Sequence, residues 1–265
     1  FEDMIFQNHP LGHNILGTPE LLKGYTTESI IDFTSRYYHP SNAVFFVHGN
    51  IDSRRVVRQV EKAVGHLPYV QVENKRTPPP PYKKTMVTDH KETNQAHVII
   101  GCRAYSAYSE KRTALYLLNN MLGGPGMNSK LNVSLRERRG LVYNVESNLT
   151  SFTDTGLFSI YFGSDHEHVK KCIRLVEREL SGLCSKLLTP NQLSAAKKQL
   201  IGQIAVASDN NESNALGMAK AFLHYNHHES PESVFARINA LTAEQVLEVA
   251  NEIFAPEQMS MMIYE

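Results

Sequence analysis

Apolar residues recur at helical spacing from Thr26 to Tyr38, where Ile30, Ile31, Phe33, Tyr37 and Tyr38 form a stripe behind a threonine cap and ahead of His39-Pro40. Ala43 to Val47 reads as a short buried strand. Gly49-Asn50 turns the chain, and Asp52 or Ser53 caps a second helix bearing Val56, Val57, Val60 and Val64 and ending at Gly65. Pro78 to Pro81 cannot enter a helix or a central strand, so a proline-rich interdomain linker is predicted over 74–83. Beyond it, Lys84 to His90 and Ala96 to Cys102 read as strands. Lys111 to Leu122 reads as a helix with Ala114, Leu115, Leu117, Leu118 and Met121 inward. Asn128 or Ser129 caps the next helix, which carries Leu131, Leu135 and Arg136 and stops at Gly140. Tyr143 to Phe152 and Leu157 to Phe162 alternate with period two around Thr153-Asp154-Thr155-Gly156, the pattern of a hairpin. Helices come next at about 166–186 and 190–207, the second with Thr189 and Gln192 as a capping box. Two or three more lead to a last strand near Met259 to Tyr264. Strands grouped before helices predict an α+β layer with a mostly antiparallel sheet covered on one face.

The end of the chain overlays its beginning. Thr26-Thr27-Glu28-Ser29-Ile30-Ile31-Asp32-Phe33 aligns with Thr242-Ala243-Glu244-Gln245-Val246-Leu247-Glu248-Val249. The register runs without a gap to Pro40 against Pro256, an offset of 216 (256 − 40). Duplicated domains are the expectation. If the second copy begins near Lys84, the first begins about 132 residues before Phe1 (84 − 216), and the opening ~73 residues are the tail of a domain.

Composition narrows the function classes. Of 265 residues, 42% are hydrophobic, enough for two cores. Lysine plus arginine equals aspartate plus glutamate, 27 against 27, so no net field favours nucleic acid or an anionic membrane. No apolar run approaches the ~20 residues of a membrane span, and Phe1-Glu2-Asp3-Met4 is not a secretory pattern. Cys102, Cys172 and Cys184 are too few and too scattered for a disulfide framework, which with the missing leader suggests a cytoplasmic protein.

Histidines give weak metal candidates. His224, His227 and His228 precede the helix start at Ser230-Pro231 and read as a solvated loop; Pro10 and Gly12 disfavour a helix that would align His9 with His13; His166 and His168 flank a helix start and face water. Gly123-Gly124-Pro125-Gly126 is not a phosphate loop, because no Gly-Lys-Ser/Thr comes after it. On residues alone, Leu-Arg-Glu-Arg-Arg-Gly reads as a basic helix end and Tyr143 as a strand aromatic, with Arg138 and Arg139 as solvated surface charges.

A resemblance shifts that balance. The glycine loop, Arg136 and Tyr143 seven residues apart (143 − 136), and Gly156-Leu157-Phe158-Ser159-Ile160-Tyr161-Phe162-Gly163 together resemble the second domain of the M16 (pitrilysin/insulinase) zinc peptidases. The resemblance implies two homologous α+β domains of the mitochondrial-processing-peptidase type, here residues 1–73 as the end of the first and 84–265 as the second. It implies a zinc-dependent endopeptidase acting on peptides in an enclosed chamber, as a homodimer or with another M16 subunit. Arg136 and Tyr143 would bind and polarise the scissile carbonyl, with Gly123 and Gly124 lining the chamber near the peptide. The family's inverted His-x-x-Glu-His zinc motif is absent. Phe1 to Pro19 resembles the family's segment just beyond the third zinc ligand, so the ligands are expected upstream of Phe1, with no metal site in this chain. The alternative is a non-catalytic M16-like subunit that binds peptide or a partner protein.

Overall fold

The structure is a computed structural model that describes residues 1–71 and 76–265. In chain order its elements are α1 (Glu2–Ile5), α2 (Pro19–Gly24), α3 (Thr27–Tyr37), α4 (Ser53–Val64), β1 (Met86–Asp89), β2 (Ala96–Ala104) and α5 (Arg112–Gly123). A π-helical turn (Asn132–Glu137) is next, then β3 (Val142–Ser151), β4 (Gly156–Ser164), α6 (Val169–Ser185), α7 (Pro190–Ser208), α8 (Asn211–Tyr225), α9 (Pro231–Ala240), α10 (Ala243–Ile253) and β5 (Ser260–Tyr264). Among the described residues, no helix is long and apolar enough to cross a membrane. The elements form two compact units: Phe1–His13 with Pro78–Gly202 and Val234–Glu265, and Asn14–Thr77 with Gln203–Ser233.

The first unit is built on a five-stranded sheet of order β1-β5-β2-β4-β3. Among the described residues only the β1–β5 pair is parallel; β2 pairs antiparallel with both β5 and β4, and β4 with β3. This is the mixed α+β sheet that the grouping of strands predicted. Period-two alternation puts Val98, Ile100 and Cys102 of β2 on one face with their register partners Phe162, Ile160 and Phe158 of β4. Helices α5, α6 and α10 cover that face, bringing Leu115, Leu118, Val176, Val249 and Ala250 into the core. The Cys102 thiol donates to the Ile253 carbonyl (3.3 Å), and the rings of Phe158 and Phe254 lie 5.0 Å apart.

The opposite face is partly covered by the first residues of the chain. Met4, Ile5 and Phe6 pack on Leu157, and Arg103 lays its guanidinium 4.3 Å over the Phe6 ring. The same guanidinium donates twice to the Ile5 carbonyl, from Nε (3.1 Å) and Nη2 (2.9 Å). Of the linker predicted over 74–83, Asn74 and Lys75 lie outside the described residues. Residues 76–85 carry no helix or strand, as four prolines require, and Tyr82 donates to the Gln258 carbonyl (2.7 Å). Residues 1–13 therefore belong by packing to the unit that contains the sheet.

The second unit is helical. Thr18, Asp52 and Asn210 cap α2, α4 and α8 by accepting from Leu21 N, Arg54 N and Ser213 N. Helices α3 and α10 carry the internal repeat: both have 11 residues, both open on a capping box (Thr26 with Ser29, Thr242 with Gln245), and their bounds differ by 216 (243 − 27). Their apolar stripes differ in burial. Val246 and Val249 of α10 are each 2% exposed, whereas Ile30 and Phe33, at the matching positions of α3, are 61% and 54% exposed.

Ala43 to Val47 is not a buried strand. The segment is irregular, and Phe45 and Val47 are exposed, because no described strand pairs with it. Its counterpart in the repeat is β5, which gains its regularity from β1 on one side and β2 on the other.

Burial pushes the Cys102 thiol up to about 12. An unfolded thiol ionises near its ordinary value while the folded one keeps its proton, so stability falls as pH rises from about 9 toward 12, by up to about 1.4 kcal/mol per unit. The phenol of Tyr105, raised by burial and by the Glu252 carboxylate, acts in the same direction. Urea unfolding at pH 7, 9 and 11 is expected to show this decline, with a shallower slope for Cys102→Ala.

Candidate functional site

Helix α5 ends on two glycines for different steric reasons. A Cβ on Gly123 would lie 2.6 Å from Ser147 N of β3, so the helix end can approach the strand only as glycine. Ser147 Oγ donates to the Asn119 carbonyl (3.0 Å) and fastens the two together. A Cβ on Gly124 would meet the Asn120 carbonyl oxygen at 2.7 Å, where the chain leaves the helix with φ −64° and ψ 177°. The Gly126 turn is held by a reciprocal amide pair: Asn128 Nδ2 donates to Gln199 Oε1 (2.8 Å), and Gln199 Nε2 donates to Asn128 Oδ1 (3.3 Å).

The predicted helix through Arg136 forms with a wider coil. Over Asn132–Glu137 it is π-helical, and Arg138 N donates five residues back to the Val133 carbonyl (3.1 Å). Asn132 Nδ2 ties the turn to the Met127 carbonyl (3.0 Å). Ser134 and Leu135 are buried while Arg136 is exposed. Gly140 closes the turn in the left-handed region (φ +59°), its N–H donating to the Arg136 carbonyl at 2.7 Å, and Leu141 N donates to the Leu135 carbonyl at 3.0 Å.

Tyr143 stands at the start of β3 on a second irregularity. Val142 is opposite Ser164 and Asn144 is opposite Gly163, so two residues advance on β3 for one on β4, and Tyr143 is the extra residue of a β-bulge. Its side chain is 67% exposed. The π-helical turn packs against β3, so both candidate residues belong to one contiguous region of the first unit. Among the described residues, neither the Arg136 guanidinium nor the Tyr143 hydroxyl is engaged by another side chain, which leaves both donors available to a ligand.

Arg139 is exposed, as a surface charge would be, and its guanidinium also makes a specific contact. Its Nη1 reaches back five residues and donates to the Ser134 carbonyl at 2.6 Å. The signal for this was present as a cation at a helix C-terminus, but the carbonyl it finds belongs to the widened turn, which the sequence pattern did not show.

The histidines do not converge. His224 lies in the last turn of α8, which ends at Asn226 in the left-handed conformation, and His227 Nδ1 contacts the Tyr225 carbonyl beyond it (2.8 Å). His9 caps the 3-10 turn Pro10–Gly12 by accepting from Leu11 N (3.2 Å). His166 Nε2 lies 3.2 Å from the Thr93 carbonyl. Among the described residues, no three histidine, cysteine, aspartate or glutamate side chains are grouped to hold a metal ion. A zinc site does not fit this chain's described residues.

Residues 24–200 match the family model described as Peptidase M16 inactive domain. The chain belongs to the M16 peptidase family. It is similar to a Bacillus subtilis protein named uncharacterized zinc protease YmxG, 30% identical over 95% of this chain and 61% of its own length. A Streptomyces coelicolor relative, also named a zinc protease, is 30% identical over 96% of this chain and 56% of its own length. The chain thus spans less than two thirds of the length of these relatives. Among solved structures, a protease from Helicobacter pylori superposes with a TM-score of 0.87 at 20% identity, covering 100% of this chain and 65% of that one. A peptidase M16 inactive domain from Pseudomonas fluorescens gives 0.85 at 22%, covering 99% and 63%. These two likenesses establish the M16-type fold.

Two glycine substitutions test the steric account. Gly123→Ala is expected to destabilise the protein by about 1–3 kcal/mol, because the methyl group meets backbone. Gly202→Ala in α7, where a Cβ would meet nothing within 4 Å, is expected to stabilise by about 0.5–1 kcal/mol. Thermal and urea unfolding of both variants check the contrast.

Proposed function

We propose that this chain is the carbonyl-binding portion of a zinc-dependent M16 metalloendopeptidase that hydrolyses peptides in an enclosed chamber. Residues 1–73 would end a first domain, 74–83 would link, and 84–265 would form the second. The observation that carries the reading is the pairing of two unengaged donors, Arg136 and Tyr143, with two backbone irregularities of the kind that re-aim side chains. A guanidinium and a phenol directed at a peptide carbonyl favour the oxyanion that forms when water attacks, because donors fixed in advance need no reorganisation as charge develops. Gly123, buried against β3, and the half-buried Gly124 keep the adjoining loop close to that strand, where it would border the peptide. An extended peptide held as an added strand presents its carbonyl in a fixed orientation. The zinc named in the relatives' descriptions would be held by residues outside this chain, so the chain alone is expected to bind no catalytic zinc and to cut nothing. The site serves either zinc in the same polypeptide or zinc in a partner M16 subunit, as a homodimer or heterodimer. The free thiols suit a reducing compartment such as the cytoplasm.

A second reading is a non-catalytic M16-like subunit that binds peptide or a partner protein. It is favoured by the family model's own description as an inactive domain and by the lack of a metal-ligand cluster among the described residues.

Two measurements separate the readings. In the full-length polypeptide, Arg136→Ala and Tyr143→Phe are each expected to lower kcat/KM by ~2–4 kcal/mol of transition-state stabilisation. Unchanged kcat/KM would remove these roles. Metal analysis of this 265-residue chain after chelation and zinc reloading is expected to find no bound zinc. One tightly bound zinc per chain would require a different active site, and a full-length polypeptide that binds no zinc would favour the non-catalytic subunit.

A further inference from the structure

We infer that Arg139 is the positioning residue that holds the π-helical turn in the shape that presents Arg136, an inference that rests on the role proposed above for Arg136. A π-turn is a local expansion by one residue, and it persists only where its carbonyls find partners that the ordinary helix register no longer supplies. The Ser134 carbonyl lies inside that turn, and with Arg139 in place Ser134 is only 3% exposed, so the guanidinium stands where water otherwise would. The Arg139 guanidinium supplies the donor at 2.6 Å. A longer contact of 3.5 Å from Arg178 Nη2 of α6 meets the Ser134 hydroxyl, so both oxygens of this residue face arginine.

The bond spans the residue it controls. Ser134 lies two positions before Arg136 and Arg139 three after it, so the guanidinium closes a loop around the Arg136 backbone. The carbonyl of Arg136 is fixed independently by Gly140 N at 2.7 Å. With both clamps in place, the peptide groups on each side of Arg136 cannot rotate separately, and the exposed guanidinium keeps one departure direction from the backbone. Without Arg139, a buried carbonyl loses a charged donor, and the turn can recover a partner by narrowing to the α-helical register. That change rotates the succeeding residues by about 100° per residue of slip, and Arg136 would leave the side it now occupies. The positive charge also lies at the C-terminal end of the turn, where the helix dipole favours it.

The test combines exchange and kinetics. In this chain, Arg139→Leu is expected to raise amide exchange at Arg138, Gly140 and Leu141 roughly tenfold, the loss of about one hydrogen bond to a charged donor, while Arg139→Lys restores part of the protection. In the full-length polypeptide, Arg139→Leu is expected to lower kcat with KM little changed. The same substitution in the Arg136→Ala background is expected to lower kcat no further, because the turn then presents nothing. Unchanged exchange at those three amides overturns the inference. So does an equal loss of kcat in both backgrounds, since a merely structural role acts whether or not Arg136 is present. If Arg136→Ala itself leaves kcat unchanged, the proposed role of Arg136 fails, and the exchange measurement alone decides whether Arg139 holds the turn.

Discussion

The close approach of α5 to β3 at Gly123 and Ser147 constrains everything around the site. It is possible only because Gly123 lacks a side chain, and it leaves the succeeding residues a short path from the helix end back to the strand start. The chain takes that path through Gly124, Pro125 and Gly126, makes the π-helical turn, reverses at Gly140 and enters β3 at Val142. Both ends of the path are thus pinned to one strand, the near end by Ser147 and the far end by the sheet register. Within so short a circuit, an extra residue in the helix and an extra residue in the strand are complementary adjustments. The turn advances Arg136 onto the exposed side, and the bulge frees Tyr143 from strict alternation.

Most of the sheet and helix framework was legible because burial on one face imposes a period. The alternation of 157–162 gave β4, and the caps at Thr26 and Thr189 gave helix starts within a residue of those observed. The π-turn was not legible, since Leu131 and Leu135 satisfy an apolar stripe in either coil and nothing local announces one additional residue. The bulge at Tyr143 was hidden for a related reason: it is a property of two strands in register, and one strand's sequence does not contain its partner's spacing. Arg139 is the exposed charge that a cation beside a glycine at a helix end suggests, but its contact with the Ser134 carbonyl was hidden, because only the widened turn offers it that partner. Ala43 to Val47 misled because an apolar run states a preference for burial without supplying the neighbour that would satisfy it.

The two copies of the repeat separate local from tertiary causes. Helices α3 and α10 share length and capping, and the capping arises from sequence within one turn of each helix start. Burial does not repeat. Val246 and Val249 are enclosed by α5 and α6, whereas Ile30 and Phe33 lie open among the described residues. The two helices thus share their caps while differing in what covers their apolar sides.

The position of β5 in the sheet order carries a consequence for synthesis. It lies between β1 and β2, yet it comes more than 150 residues later along the chain (260 − 104 = 156). During translation the hairpin of β3 and β4 can pair with β2 as soon as it emerges, but β1 has no partner until Ser260–Tyr264 is made. At a ribosomal pace of about 5–20 residues per second, β1 and one edge of β2 wait for about 8–30 seconds with unpaired backbone. That interval is when a nascent chain is most open to capture by a chaperone, and the apolar Met-Val of β1 is the part left waiting.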